Sequence, residues 1–203
     1  MKLFFAPGTC ALSPHIVLHE LGIKFESVKV DLRQKTTADG QDYRLINPKG
    51  YVPALEIAPG DVLTEGPAII QYLADQNPGS RLAPPAGTRE RYRLLEWLNF
   101  VSTEVHKQFS MLFNREAPEE WKTIVKQKLQ GRFAFLNEHL AVNAYLMGTD
   151  FSVADAYLFT VMRWAKAFNM NVDQHPNLSA YQQRVAARPA VKAALEAEGL
   201  PTA

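Results

Sequence analysis

The sequence predicts an α/β domain of order β-α-β-β-β-α, followed by an all-helical domain. Three observations carry this. Over residues 1–77 the apolar residues alternate between a period of two and a period near 3.6. Residues 78–88 are too rich in Pro and Gly for either period. Beyond them, over residues 89–203, only helical spacing recurs.

Lys2 to Ala6 reads as a short strand, Ala11 to Leu21 as a helix stopped by Gly22, and Phe25 to Asp31 as a second strand. Ala54 to Ile57 and Val62 to Leu63 read as two short strands around the Pro59-Gly60-Asp61 turn. Pro67 then opens an apolar helix through Leu73. The run Asn77 to Thr88 reads as a linker. Leu94, Leu98, Val101, Val105, Phe109 and Leu112 recur at helical spacing and predict one long amphipathic helix; Trp121 through Leu140 predict another. Ser152 to Phe168 is apolar nearly all round, the mark of a buried central helix, and Ser152-Val153-Ala154-Asp155 is a capping box with Asp for Glu. Pro176 and Pro189 fall where the first turns of two final helices belong.

Composition narrows the function. The chain has 203 residues, 47% of them hydrophobic, enough for real cores. Twenty-two Lys and Arg balance 21 Asp and Glu, so no strong field draws in nucleic acid or an anionic membrane surface, and neither is expected as a partner. No stretch approaches the roughly 20 apolar residues of a membrane helix, and the apolar start, Leu3 to Ala6, is too short for a signal peptide. The single cysteine, Cys10, permits neither an internal disulfide nor a thiolate zinc cluster; no metal is called for, and a reducing cytoplasm is the expected compartment.

Cys10 follows the first strand and precedes the first helix, where free N–H groups and the helix dipole favour a thiolate. A lone Cys is equally well a small buried hydrophobe. Ser13 stands where a Cys-x-x-Cys pair has its second thiol, so any disulfide chemistry must use an external thiol. Pro53 cannot donate to a strand ladder. Were the Val52-Pro53 bond cis, the Val52 backbone would turn outward to pair with an extended peptide; by base rate a trans turn is the alternative. Glu65 and Gly66 open the next helix, where an amide binds a carboxylate and Glu65 takes an ammonium, or where Glu65 is simply a cap. On the long helix, at about 100° per residue, Asn99, Thr103 and His106 project within roughly 60° of one another.

Together these residues resemble the glutathione transferases over essentially the whole chain: Cys10, Val52-Pro53, Thr64-Glu65-Gly66-Pro67-Ala68-Ile69 and Ser152-Val153-Ala154-Asp155. Cys10 with His106, and the segment Asn47-Pro48-Lys49-Gly50-Tyr51-Val52-Pro53-Ala54-Leu55, resemble the beta class of bacteria. The resemblance implies a thioredoxin-like first domain that binds glutathione and a helical-bundle second domain. It implies that Val52, ahead of a cis Pro53, pairs with the cysteinyl backbone of glutathione, that Glu65 and Gly66 hold the γ-glutamyl end, and that Lys35 reaches the glycyl carboxylate. Many members have Ser where this chain has Gly66, which removes one side-chain hydrogen bond. Asn99, Thr103, Glu104 and His106 fall on further glutathione contacts, some of them from the second subunit of a homodimer.

The expected activity is transfer of the glutathione thiolate to a small hydrophobic electrophile, as in detoxification, with Cys10 and His106 favouring the thiolate and Phe109, Phe113 and Trp164 lining the second-substrate pocket. The alternatives are thiol-disulfide exchange or reductive dehalogenation through a Cys10 mixed disulfide, and a non-catalytic binding protein on the same fold.

Overall fold

The computed structural model describes residues 1–202. These form two compact units, one comprising Met1–Arg81 with the chain from Ala186 onward, the other Leu82–Val185.

The first unit is built on a mixed sheet. Strand β1 (Lys2–Phe5), helix α1 (Leu12–Glu20) and strand β2 (Glu26–Asp31) make a parallel crossover, with Lys2 paired to Glu26 and Phe5 to Lys29. Strand β3 (Thr36–Thr37) edges β2. Strands β4 (Ala54–Ala58) and β5 (Asp61–Thr64) form a hairpin with β4 antiparallel to β1, giving the order β3-β2-β1-β4-β5. The central place of β1 explains its unbroken Leu3-Phe4-Phe5, all buried. Helix α2 (Gly66–Asp75) buries Ile69, Ile70 and Leu73. Strand β3 has no counterpart in the sequence reading, because two residues are too few to display a period.

Helix α1 is buried from Leu12 to Leu18, including Ser13 and His15. A helix enclosed on so many sides needs more cover than one sheet gives. Helix α8 (Pro189–Ala197) supplies it, packing on α1 and burying Val191, Ala194 and Leu195. The sequence reading placed 89–203 in one helical domain; the structure returns the last helix to the first unit. Periodicity identifies a helix without identifying its neighbour.

The second unit is helical. Helix α3 (Arg89–Phe100) passes through a π-helical segment, Val101–His106, into helix α4 (Lys107–Leu112). Helix α5 (Glu119–Leu140) buries Val125, Leu129, Phe133, Leu136 and Leu140. Helix α6 (Val153–Met162) is buried at every position, as its apolar girth predicts. It is shorter than expected: residues Arg163–Phe168 tighten into a 3-10 turn closed by Asn169 at φ 54°. Asp155 holds the start of α6, accepting from Ser152 N–H and Oγ–H, each at 2.8 Å. It also accepts from Leu146 N–H at 2.8 Å and Tyr181 Oη at 3.1 Å. Burial pushes the Asp155 carboxyl up, and these donors pull against it. Helix α7 (Pro176–Ala186) begins at the predicted proline, as does α8.

Candidate functional site

Cys10 lies in the turn between β1 and α1, two residues before the helix proper. Hydroxyls tie that turn: Thr9 Oγ1 donates to Ala6 O at 2.7 Å, and Ser13 Oγ donates to Cys10 O at 3.0 Å. From the far end of the unit, Glu198 reaches the same turn. Its Oε2 accepts from Gly8 N–H at 3.0 Å and its Oε1 lies 3.0 Å from His15 Nδ1, with both side chains in that pair essentially inaccessible. The Cys10 thiol is half-buried, and its Sγ donates to the Val52 carbonyl at 3.4 Å. Burial, foremost, pushes its pKa from 9.0 up to about 12. The Cys10 backbone amide opposes the shift, while the carboxylates of Glu65 and Glu198 add to it. Desolvation works against the helix terminus and, with Sγ donating to the Val52 carbonyl, favours the thiol among the readings the sequence left open.

The Val52-Pro53 bond is cis. Val52 is buried. The loop leading to it is tied through one carbonyl: Tyr51 O accepts from Asn47 Nδ2 at 2.7 Å and from Tyr43 Oη at 2.9 Å. Burial pushes the Tyr43 phenol up to about 12, so it too stays a donor. Lys35 sits at φ 59°, its Nζ donating to Gly50 O at 2.8 Å and lying 5.5 Å over the Tyr51 ring.

Glu65 caps α2 at φ 70°, ψ 112°, so no ordinary cap geometry applies, and its side chain makes no cap hydrogen bond. The carboxylate faces Lys49 instead: Lys49 Nζ is 2.5 Å from Glu65 Oε1 and 3.0 Å from Thr64 Oγ1. Gly66 opens the helix, where its N–H has no carbonyl within the helix to donate to. A Cβ there would lie 3.7 Å from Pro53 Cγ and 3.8 Å from Ser13 Oγ, both ordinary contacts. The first unit thus brings Cys10, Val52, Pro53 and Gly66 into one neighbourhood, with Lys35 and Glu65 each engaging the 49–51 loop.

In the second unit, the single polar stripe expected along the long helix divides. Asn99 and Thr103 are exposed, each bonded to its own helix: Asn99 Nδ2 to Leu95 O, and Thr103 Oγ1 to Asn99 O. Glu104 turns to α5 and pairs with Arg132 Nη2 at 2.5 Å and Nε at 2.8 Å. His106 turns to α6, its Nδ1 2.5 Å from Tyr157 Oη, its ring edge-on to Trp164 at 5.0 Å. The π-helical segment changes the angular step after Phe100, which a uniform 100° per residue does not anticipate. Phe113, about half exposed, and Trp164, half-buried, meet edge to face at 5.5 Å. Phe109 is fully buried; it backs Trp164 at 6.0 Å rather than facing a ligand, which corrects its expected place on the pocket wall.

The sequence reading missed Tyr43, Asn47, Lys49, Tyr157 and Glu198. Asn47 and Lys49 lie within the segment that carried the resemblance, so a signal was present. Glu198, 190 residues from Gly8, had none.

Comparison with known proteins gives this geometry its context. Residues 8–76 match the glutathione S-transferase N-terminal domain and residues 100–189 the glutathione S-transferase C-terminal domain. The chain is 48% identical to glutathione S-transferase GstA of Escherichia coli O157:H7, over 98% of this chain and all of that one. Among solved structures it superposes on a ternary complex of BphK, a bacterial glutathione S-transferase, with a TM-score of 0.96 and 53% identity, covering 98% of this chain and all of that chain. It superposes on the beta-class glutathione S-transferase of Sphingomonas chungbukensis with a TM-score of 0.95 and 45% identity, covering 99% and 100%. The chain belongs to the glutathione S-transferase family, in its bacterial beta class.

Proposed function

We propose that this protein transfers the thiolate of glutathione to small hydrophobic electrophiles. One observation carries the reading for this chain. Lys35 and Glu65, the two residues read as charge partners for the ends of glutathione, are two of the four non-glycine residues with positive φ among the described residues, at 59° and 70°; the other two, Arg81 and Asn169, close 3-10 turns. Such backbone costs about 1–3 kcal/mol per residue and concentrates at functional sites. Around the cis Val52-Pro53 bond, Lys35 takes the glycyl carboxylate, the Val52 backbone the cysteinyl unit, Glu65 the α-ammonium and Gly66 N–H the α-carboxylate. Cys10, a protonated thiol at neutral pH, moves its hydrogen bond from the Val52 carbonyl to the glutathione sulfur and stabilises the anion there. An unperturbed thiol near pKa 8.5 is only a few per cent ionised at neutral pH, so such a donor raises the reactive fraction by roughly tenfold or more.

In the second unit, Trp164 and Phe113 offer aromatic surface to the electrophile, beside His106, which Tyr157 orients. Asn99, Thr103 and Glu104 supply further glutathione contacts, in a homodimer working in a reducing cytoplasm. Exchange through a Cys10 mixed disulfide is the weaker reading, because it needs the thiolate that burial opposes.

An assay with glutathione and an aryl halide tests this. Wild type should form the conjugate; Cys10→Ser should keep the rate within about tenfold, since a hydroxyl still donates; Cys10→Ala should lose roughly tenfold or more. Absence of glutathione-dependent conjugate in the wild type would refute the proposal.

A further inference from the structure

Glu65 already carries an ammonium where the proposed function puts that of the ligand. Lys49 Nζ lies 2.5 Å from Glu65 Oε1 and shares itself with Thr64 Oγ1 at 3.0 Å. We infer that Lys49 is a built-in stand-in for the α-ammonium of glutathione, exchanged for it on binding, and that it thereby sets how strongly the site discriminates for an α-amino group. The inference rests on the reading of Glu65 as the receptor for that group.

The Glu65 backbone is set at the start of α2 with φ 70°, and Lys49 reaches its carboxylate on a flexible four-carbon stem from the 47–51 loop. The side chains are 50% and 68% exposed, so the pair contributes little and is readily exchanged. Lys35 Nζ donates to the neutral carbonyl of Gly50 in the same loop.

The γ-glutamyl end of glutathione bears an ammonium and a carboxylate on one carbon. When its ammonium takes Glu65, its carboxylate gives the released Lys49 a new partner. The one ion pair of the unliganded site is thus replaced by two. A ligand without the ammonium leaves Lys49 on Glu65, which remains neutralised beside the ligand carboxylate. Lys49 therefore softens the penalty for lacking the amino group. Without Lys49, such a ligand faces an uncompensated Glu65.

Calorimetric titration of four full-length proteins with glutathione and with deamino-glutathione (glutaryl-cysteinylglycine) tests this: wild type, Lys49→Met, Glu65→Gln and the double variant. Wild type should favour glutathione. Lys49→Met should widen that preference by roughly two- to fivefold, the scale of an exposed ion pair. In the Glu65→Gln background the same change should leave the preference unaltered. A preference that Lys49→Met does not widen, or a widening that persists in the Glu65→Gln background, overturns the inference, the latter by showing that Lys49 acts through its general charge. A wild type that binds both ligands equally, or neither, removes the ammonium site on Glu65 itself and the inference with it.

Discussion

Cys10 decides between the two chemistries this site could run. Its turn offers a helix terminus, but the sulfur is held against the Val52 carbonyl, and desolvation wins. The upward push on its pKa lowers the thiolate fraction at neutral pH below that of a free thiol. Alkylation of the ligand-free protein by iodoacetamide at pH 8 should therefore run slower than with a free cysteine, by roughly tenfold or more; a rate equal to free cysteine would restore the nucleophile. The sign for stability follows from the same shift. The folded thiol keeps its proton while an unfolded one loses it from 9.0 upward, so stability is lost as pH rises between 9.0 and about 12. At this scale the sequence was legible where chemistry is local: Cys10, Val52-Pro53 and Glu65 sit in recognisable segments, whereas Lys35 entered only through the family resemblance. It was silent on side chains that act across the chain, such as Glu198 on Gly8 and His15, or Tyr157 on His106, because no spacing rule links residues 51 to 190 positions apart.

Among the elements, α6 is the one whose start depends most on a single side chain. Asp155 accepts two backbone N–H groups, Leu146 and Ser152, together with the hydroxyls of Ser152 and Tyr181, all buried. Asp155→Ala leaves those donors without their acceptor inside a fully buried helix. The expected loss is about 3 kcal/mol, a fall in Tm of roughly 6–12 °C for a chain of this length. Thermal unfolding followed by circular dichroism checks it, and an unchanged Tm would mean that water replaces the carboxylate. This capping box was plain in four consecutive residues. The π-helical segment at Val101–His106 was not: its apolar positions, Val101 and Val105, fit an ordinary helix equally well, and only packing against α5 and α6 distinguishes the two. The same limit applies to α6, where apolar residues continue to Phe168 but the helix ends at Met162.

At the scale of the whole molecule, the first of the two compact units is discontinuous in sequence and is completed only by the last helix. Helix α8 covers α1 and delivers Glu198 to the turn that bears Cys10, so the C-terminal segment belongs to the architecture of the thiol site. Exposed polar residues of α3 and the π-helical segment, Asn99 and Thr103, fit a proposed homodimer that uses the same patch twice. Sedimentation at micromolar concentration should give twice the 22.8 kDa chain mass; a monomer would contradict that assembly. The proposed activity depends on glutathione occupying the edge formed by Lys35, Val52, Glu65 and Gly66. Calorimetric titration of wild type and Glu65→Ala with glutathione tests that most directly. The predicted result is binding to the wild type and a loss of about 1.5–3 kcal/mol in the variant, roughly 10- to 150-fold. Equal affinity in the two proteins, or no binding to either, would contradict it.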